Sequence, residues 1–175
     1  MSKKIMILIL ALLTTITVAC IAAVTVILTK QDEPTILAPD YAPIEEDPNA
    51  ENIPNDTEDK LEQPEGGGAV SLIYTTNVTI DLSDGKALLL FGNPQKSNQD
   101  MVVQIVVKGH VVVQSGRLTP GKQVTTLDLA ENTPALGEGT YTDDTCTFVV
   151  CYYDPMSGEK AMLNTEIPIT VTVRE

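Results

Sequence analysis

The 175 residues carry 24 acids against 11 bases, a formal net charge of −13, with no tryptophan. That length accommodates one ordinary domain with accessories, and the lack of any Lys/Arg cluster excludes nucleic acid as a partner, because phosphate binding needs one. The charge is unevenly spread: residues 1–30 hold three lysines and no acid, residues 31–68 twelve acids and one base, and residues 69–175 twelve acids and seven bases.

Residues 5–28 contain no charge, proline or glycine. As a helix such a stretch rises about 36 Å, enough to cross a ~30 Å hydrocarbon core with some tilt. Lys3 and Lys4 precede it and an acidic segment follows Lys30, so the positive-inside rule places the N-terminus in the cytoplasm. A cleavable signal has a shorter apolar region and then polar mature sequence. Here the apolar run passes through Ala19-Cys20 and continues as IAAVTVILT. The expectation is an N-terminal transmembrane signal anchor over 1–30, in the plasma membrane as a single pass. Lipidation of Cys20 is the alternative: TVAC keeps the small residue that precedes a lipobox cysteine, but has Thr where Leu is usual.

Residues 31–68 contain six prolines and twelve acids, with only scattered Ile and Leu to bury. Such a composition predicts a disordered, extended acidic stalk, with Gly66-Gly67-Gly68 as a swivel at its end.

In residues 69–175, β-branched runs alternate with turn signals and no useful helical period appears. Strands are predicted over 70–82 (one long or a pair), 86–92, 101–107, 110–116, 123–129, 145–154 and 160–173. Lys108-Gly109 is a two-residue hairpin turn, and PMSGE joins the last two strands. Pro168 makes the last strand an edge, or one that breaks there and switches sheets. About seven strands without helices in such a length predict an all-β, Greek-key β-sandwich.

LGEGTY, residues 136–141, resembles the Leu-x-x-Gly-x-Tyr stretch that opens a late strand in immunoglobulin-like and fibronectin type III-like domains. The resemblance implies a structural tyrosine corner at Tyr141, its hydroxyl bonding back to nearby backbone. It covers only 69–175, lacks the Cys–Trp–Cys core of antibody domains, and concerns architecture rather than one family.

Little in this sequence is equipped for catalysis. His110 is the only histidine, and a lone His assembles neither a zinc site nor a triad. Cys146 and Cys151 lie in one predicted strand; five residues of strand reverse the side-chain face and span about 16 Å, too far for a disulfide, so both read as buried free thiols. Asp81, Asp84, Asp143, Asp144 and Asp154 fall at strand ends, with Asp143, Asp144 and Asp84 the weak metal (calcium) candidates, although turn chemistry alone explains such aspartates. A Lys–Asn isopeptide bond lacks a positioned carboxyl beside Lys108, Lys160 or Asn164. The strand aromatics read as core, except that Tyr152 and Tyr153 point to opposite faces, so one should be exposed. No cofactor is implied. The expectation is a non-enzymatic, membrane-anchored bacterial cell-surface module for protein interaction or assembly of a surface structure. A glycan- or cell-wall-binding module is the alternative, and an uncharacterised hydrolase the third reading.

Overall fold

A computed structural model describes Lys3, Thr17 and residues 39–65, 67–131, 133–142 and 145–175. The chain divides into two units, Met1–Thr35 and Ile36–Glu175. In the first, Lys3 and Thr17 are helical. The rest of the expected membrane span, Cys20 included, lies outside the described residues, as do residues 31–38 of the expected stalk. Among the described residues no helix is long and apolar enough to cross a membrane.

The second unit is built from strands: β1 (Glu51–Asn52), β2 (Ile73–Tyr74), β3 (Asn77–Asp81), β4 (Lys86–Asn93), β5 (Asp100–Val107), β6 (His110–Gln114), β7 (Lys122–Asp128), β8 (Gly139–Tyr141), β9 (Cys146–Tyr153), β10 (Lys160–Pro168) and β11 (Thr170–Arg174). They form two sheets, one ordered β1-β7-β4-β3-β11-β8 with β2 paired to β4, the other β10-β9-β5-β6. All pairs are antiparallel except β11 with β3. The fold is an all-β sandwich of two sheets. Its longer strands fall where β-branched runs predicted them. The predicted strands omitted the two- and three-residue strands β1 and β8, which are too short to show an alternation, while β2 and β3 together fill the 70–82 segment read as one long strand or a pair.

Strand periodicity sorts the core. From β5, Met101, Val103, Ile105 and Val107 face the other sheet, and from β9 so do Cys146, Phe148, Val150 and Tyr152. Phe148 meets Phe91 of β4 edge-on, with ring centroids 5.8 Å apart, a favoured aromatic geometry. The intervening residues Val102, Val106, Val149, Cys151 and Tyr153 form a second buried cluster on the opposite face of the four-stranded sheet. β5 and β9 are thus buried on both faces, which is why their sequences are continuous apolar runs rather than strict alternations.

Two turns act as the sequence implies. Lys108 and Gly109 both take positive φ, 50° and 78°, as a hairpin of the favoured hand requires. The chain crosses from one sheet to the other between Pro168, the end of β10, and Thr170, the start of β11. Proline has no N–H to continue a ladder, so the break falls where it costs least.

The stalk expectation is corrected for residues 39–65, which lie on the sandwich as a strap. Ala42 N–H donates to Gly158 O at 2.8 Å, Asp47 N–H to Arg117 O at 3.0 Å, Ile53 N–H to Gly121 O at 2.9 Å and Leu61 N–H to Lys96 O at 2.8 Å. Asp47 is buried; its Oδ2 accepts from Gly116 N–H at 2.6 Å and its Oδ1 from Asn49 N–H at 2.8 Å. Composition misled here because the strap supplies few apolar side chains. It is held by backbone pairing and by carboxylates that accept backbone N–H bonds.

The strap also overturns the expectation of an exposed tyrosine. Tyr152 and Tyr153 do point to opposite faces, but both are buried, at 7 % and 0 % exposure. Tyr153 Oη donates to Pro39 O at 3.0 Å, and Ala42 packs on the cluster that Tyr153 belongs to.

Candidate interaction surface

The sandwich has two sides where strand edges face outward, and the chain treats them differently. On the side of β6 and β7 the edges are covered: the strap lies along β7, and the segment after β7 lies along β6, where Val113 bridges to Leu129 and Ala130 N–H donates to Val112 O at 2.9 Å. Glu51 and Asn52 pair with Gln123 and Lys122, Glu46 bridges to Arg117, and Glu46 Oε1 accepts from Thr119 Oγ1 at 2.6 Å. On the other side, β10 pairs with β9 alone. Strap residues reach only its beginning, where Lys160 N–H donates to Asp40 O at 3.0 Å and Tyr41 bridges to Glu159.

Beyond that point β10 presents apolar side chains to solvent. Met162 is fully exposed and Leu163 79 % exposed. The cause is a bulge: Lys160 pairs with Tyr153 and Asn164 with Cys151, so four steps along β10 match two along β9. Two extra residues push the Ala161–Leu163 stretch out of the ladder, a bend typical of sheet edges. After the bulge, Thr165 and Ile167 turn inward, Tyr152 Oη donates to Thr165 Oγ1 at 2.7 Å, and Ile167 packs on the core. Glu166 and Asn164 face out.

The β9–β10 hairpin holds this edge rigidly. Asp154 Oδ1 accepts from Met156 N–H at 2.9 Å and Ser157 N–H at 2.7 Å, while Gly158 closes the turn with φ of 73°. Those hydrogen bonds, Ser157 first, hold the Asp154 carboxyl below its ordinary range. Met156, at the hairpin tip, is also exposed. Beside the edge, a groove of about 790 Å³ is lined by Gln63, Val70, Tyr152, Met162, Leu163 and Thr165 among others. Asp154, Glu159 and Lys160 also line it.

The residues singled out from sequence are dispersed. Asp84 lies in the β3–β4 turn, where its N–H and that of Ser83 donate to Asp81 Oδ1 at 3.3 and 3.2 Å, and the Asp81 carboxyl is pulled below its ordinary range by the Ser83 hydroxyl first. Asp143 and Asp144 lie outside the described residues. Among the described residues no three acidic, His or Cys side chains converge as a metal site would require. Tyr141 Oη donates to Gly137 O at 2.8 Å, and Lys108 Nζ sits 4.7 Å above its ring. Cys146 and Cys151 are free and buried, one in each apolar cluster, and burial pushes both thiols up. His110 is an exposed residue at the start of β6. Sequence reading gave the last strand as an edge from Pro168 but did not foresee the bulge that exposes Met162 and Leu163.

The fold defines an all-β, two-sheet sandwich, and comparison with known proteins adds little to that class. No family model matches the chain, and no curated protein does. Among solved structures, the YadV chaperone overlaps 59 % of this chain at 16 % identity and a TM-score of 0.37. The E. coli chaperone DraB overlaps 61 % at 18 % identity and 0.38. The chain spans about half the length of either, 51 % and 55 %. Likeness this loose carries no argument about either fold or function.

Proposed function

We propose that this chain is a non-enzymatic, membrane-tethered module that displays a β-sandwich outside the cell and binds protein through the β10 edge. One observation carries the reading: the chain covers the β7 edge with the strap and the β6 edge with the segment after β7, and leaves β10 open beyond Lys160, with Met162 and Leu163 exposed. An open edge offers unpaired N–H and C=O groups, and natural sheets guard such edges unless they are used. The tether rests on the uncharged residues 5–28 and the lysines before them. The glycan reading loses the tyrosine it relied on, since Tyr152 and Tyr153 are both buried.

The test places a photoreactive side chain at Met162 in the full chain, in intact cells, with Asp84 as an exposed control. Protein adducts at 162 and few at 84 support the reading. Adducts no more frequent at 162 than at 84 would sink it.

A further inference from the structure

We infer that the strap is a proton-sensitive clasp, held more firmly as its surroundings acidify, and that Asp100 is the group that takes up the proton. Asp100 opens β5, and its side chain is 4 % exposed. Among the described residues no hydrogen bond reaches its carboxylate. Its ion pair is with Arg117, whose Nη1 lies 3.9 Å from Oδ2. The Arg117 Nε is itself buried without a hydrogen-bond partner. A buried carboxylate needs close, well-aligned donors to offset the loss of water, and this one has none.

The other charges around Asp100 do not make up the difference. Lys60 of the strap attracts it, but Lys60 Nζ is engaged with Ser97 O at 2.7 Å. Glu46 of the strap and Asp154 of the β9–β10 hairpin repel it. From β9 its register partner is Tyr153, whose hydroxyl donates to Pro39 O. Desolvation therefore prevails over the Arg117 attraction and pushes the Asp100 carboxyl above its ordinary 3.8.

The strap fastens around this carboxyl. Arg117 O accepts from Asp47 N–H at 3.0 Å, and Arg117 N–H donates to Glu45 O at 3.4 Å. Lifting the strap frees Arg117 and returns Asp100 to water, where its carboxyl regains the ordinary value. The closed strap thus binds the proton more tightly than the open one, and proton uptake favours closure. The sign is the reverse of that for a well-paired carboxylate. The added hold is fully present below 3.8 and is lost as pH rises through the raised value in the fold. Asp40 and Ala42 of the same strap pair with Lys160 and Gly158, so acid also keeps the start of β10 covered. The inference stands whatever the rest of that edge binds.

The experiment follows hydrogen exchange by mass spectrometry on the full chain in mild detergent, from about pH 7.5 to about pH 4.5, with rates corrected for intrinsic exchange. The amides of Asp47, Ile53 and Leu61 report strap opening, those of β5 and β9 are the control, and circular dichroism checks that each variant folds. Protonating the other strap carboxylates loosens the strap, so the wild type is read against Asp100→Asn, which is uncharged at every pH. The ratio of opening constants, wild type over variant, is expected to exceed one at the upper pH. It should shrink on acidification, by no more than about tenfold per pH unit for one linked proton. A ratio of one or less at the upper pH would make Asp100 a stabilising partner of Arg117 and overturn the inference, as would a ratio that does not change with pH. Arg117→Gln serves if Asp100→Asn does not fold. Without its cation the carboxylate is costlier to bury, so the strap should open more at the upper pH and the gap to wild type should narrow in acid. A gap that stays constant or widens in acid would overturn the inference equally.

Discussion

At the scale of single residues, two tyrosines show how the same side chain serves different ends. Tyr141 is half-exposed and ties its hydroxyl to Gly137 O, four residues back. Gly139 between them has φ of 140°, a conformation other residues rarely adopt. Tyr141→Phe keeps the ring under Lys108 and deletes only the hydrogen bond, so it should cost about 0.5–1.5 kcal/mol, read as a lower midpoint in urea with an unchanged slope. An unchanged midpoint would mean the bond contributes nothing to stability. Tyr153 is buried, and desolvation first, then Cys151 and Asp40, pushes its hydroxyl from 10.0 up to about 12. The neutral form is favoured in the fold, so the unfolded chain loses this proton earlier as pH rises. The associated stability is fully present below pH 10 and is lost as pH climbs towards about 12. Ultraviolet titration should show a late stage of tyrosinate formation, with Tyr153 ionising only with alkaline unfolding. A single titration near the ordinary value would contradict its burial.

At the scale of elements, the strap is the feature with the clearest energetic anatomy. Its ion pairs, Glu58 with Lys96 at 2.7 Å and Glu46 with Lys122 at 3.7 Å, involve partly exposed groups, and such pairs contribute about 0–1 kcal/mol each before screening. Asp47 matters more, because its carboxylate satisfies the Gly116 N–H at a buried site. Asp47→Ala leaves that N–H unpaired, a loss of roughly 1–3 kcal/mol. Hydrogen exchange should then quicken at Gly116 and at the amides of β1 and its β7 partners, while β5 and β9 stay protected. About 1 M salt should leave the strap in place in the wild type. Gly116→Ala offers a second route, since an added Cβ would come within 2.8 Å of the Asp47 Cα. Uniform exchange across the sandwich in either variant would mean the strap is not a separable element.

The strap also marks where sequence reading stops. Strands such as β5 and β9 were legible because buried apolar runs write themselves into side-chain type, and Pro168 announced the sheet switch through its missing N–H. Residues 39–65 pack mainly through backbone groups, which every residue carries, so composition alone read them as unstructured. The burial of Tyr153 and the stretch of the β10 edge left uncovered were hidden for the same reason. Both depend on where the strap lies and where it ends.

At the scale of the whole molecule, covered edges on one side of the sandwich and a bare edge on the other give it a direction. Under the proposed membrane tether, the kind of anchor decides how that direction is used. The apolar run continues for nine residues beyond Cys20, and a lipid-bearing N-terminus would carry those residues as an apolar extension at the membrane surface, where no backbone partner is supplied. A continuous helix satisfies its own backbone across the hydrocarbon core. The full chain recovered from membranes should therefore retain Met1 in its intact mass, and protease added outside intact cells should digest sequence after Lys30 and spare sequence before it. A diacylated N-terminus at Cys20 would replace the span with a lipid anchor. A chain released into the aqueous fraction would remove the tether altogether.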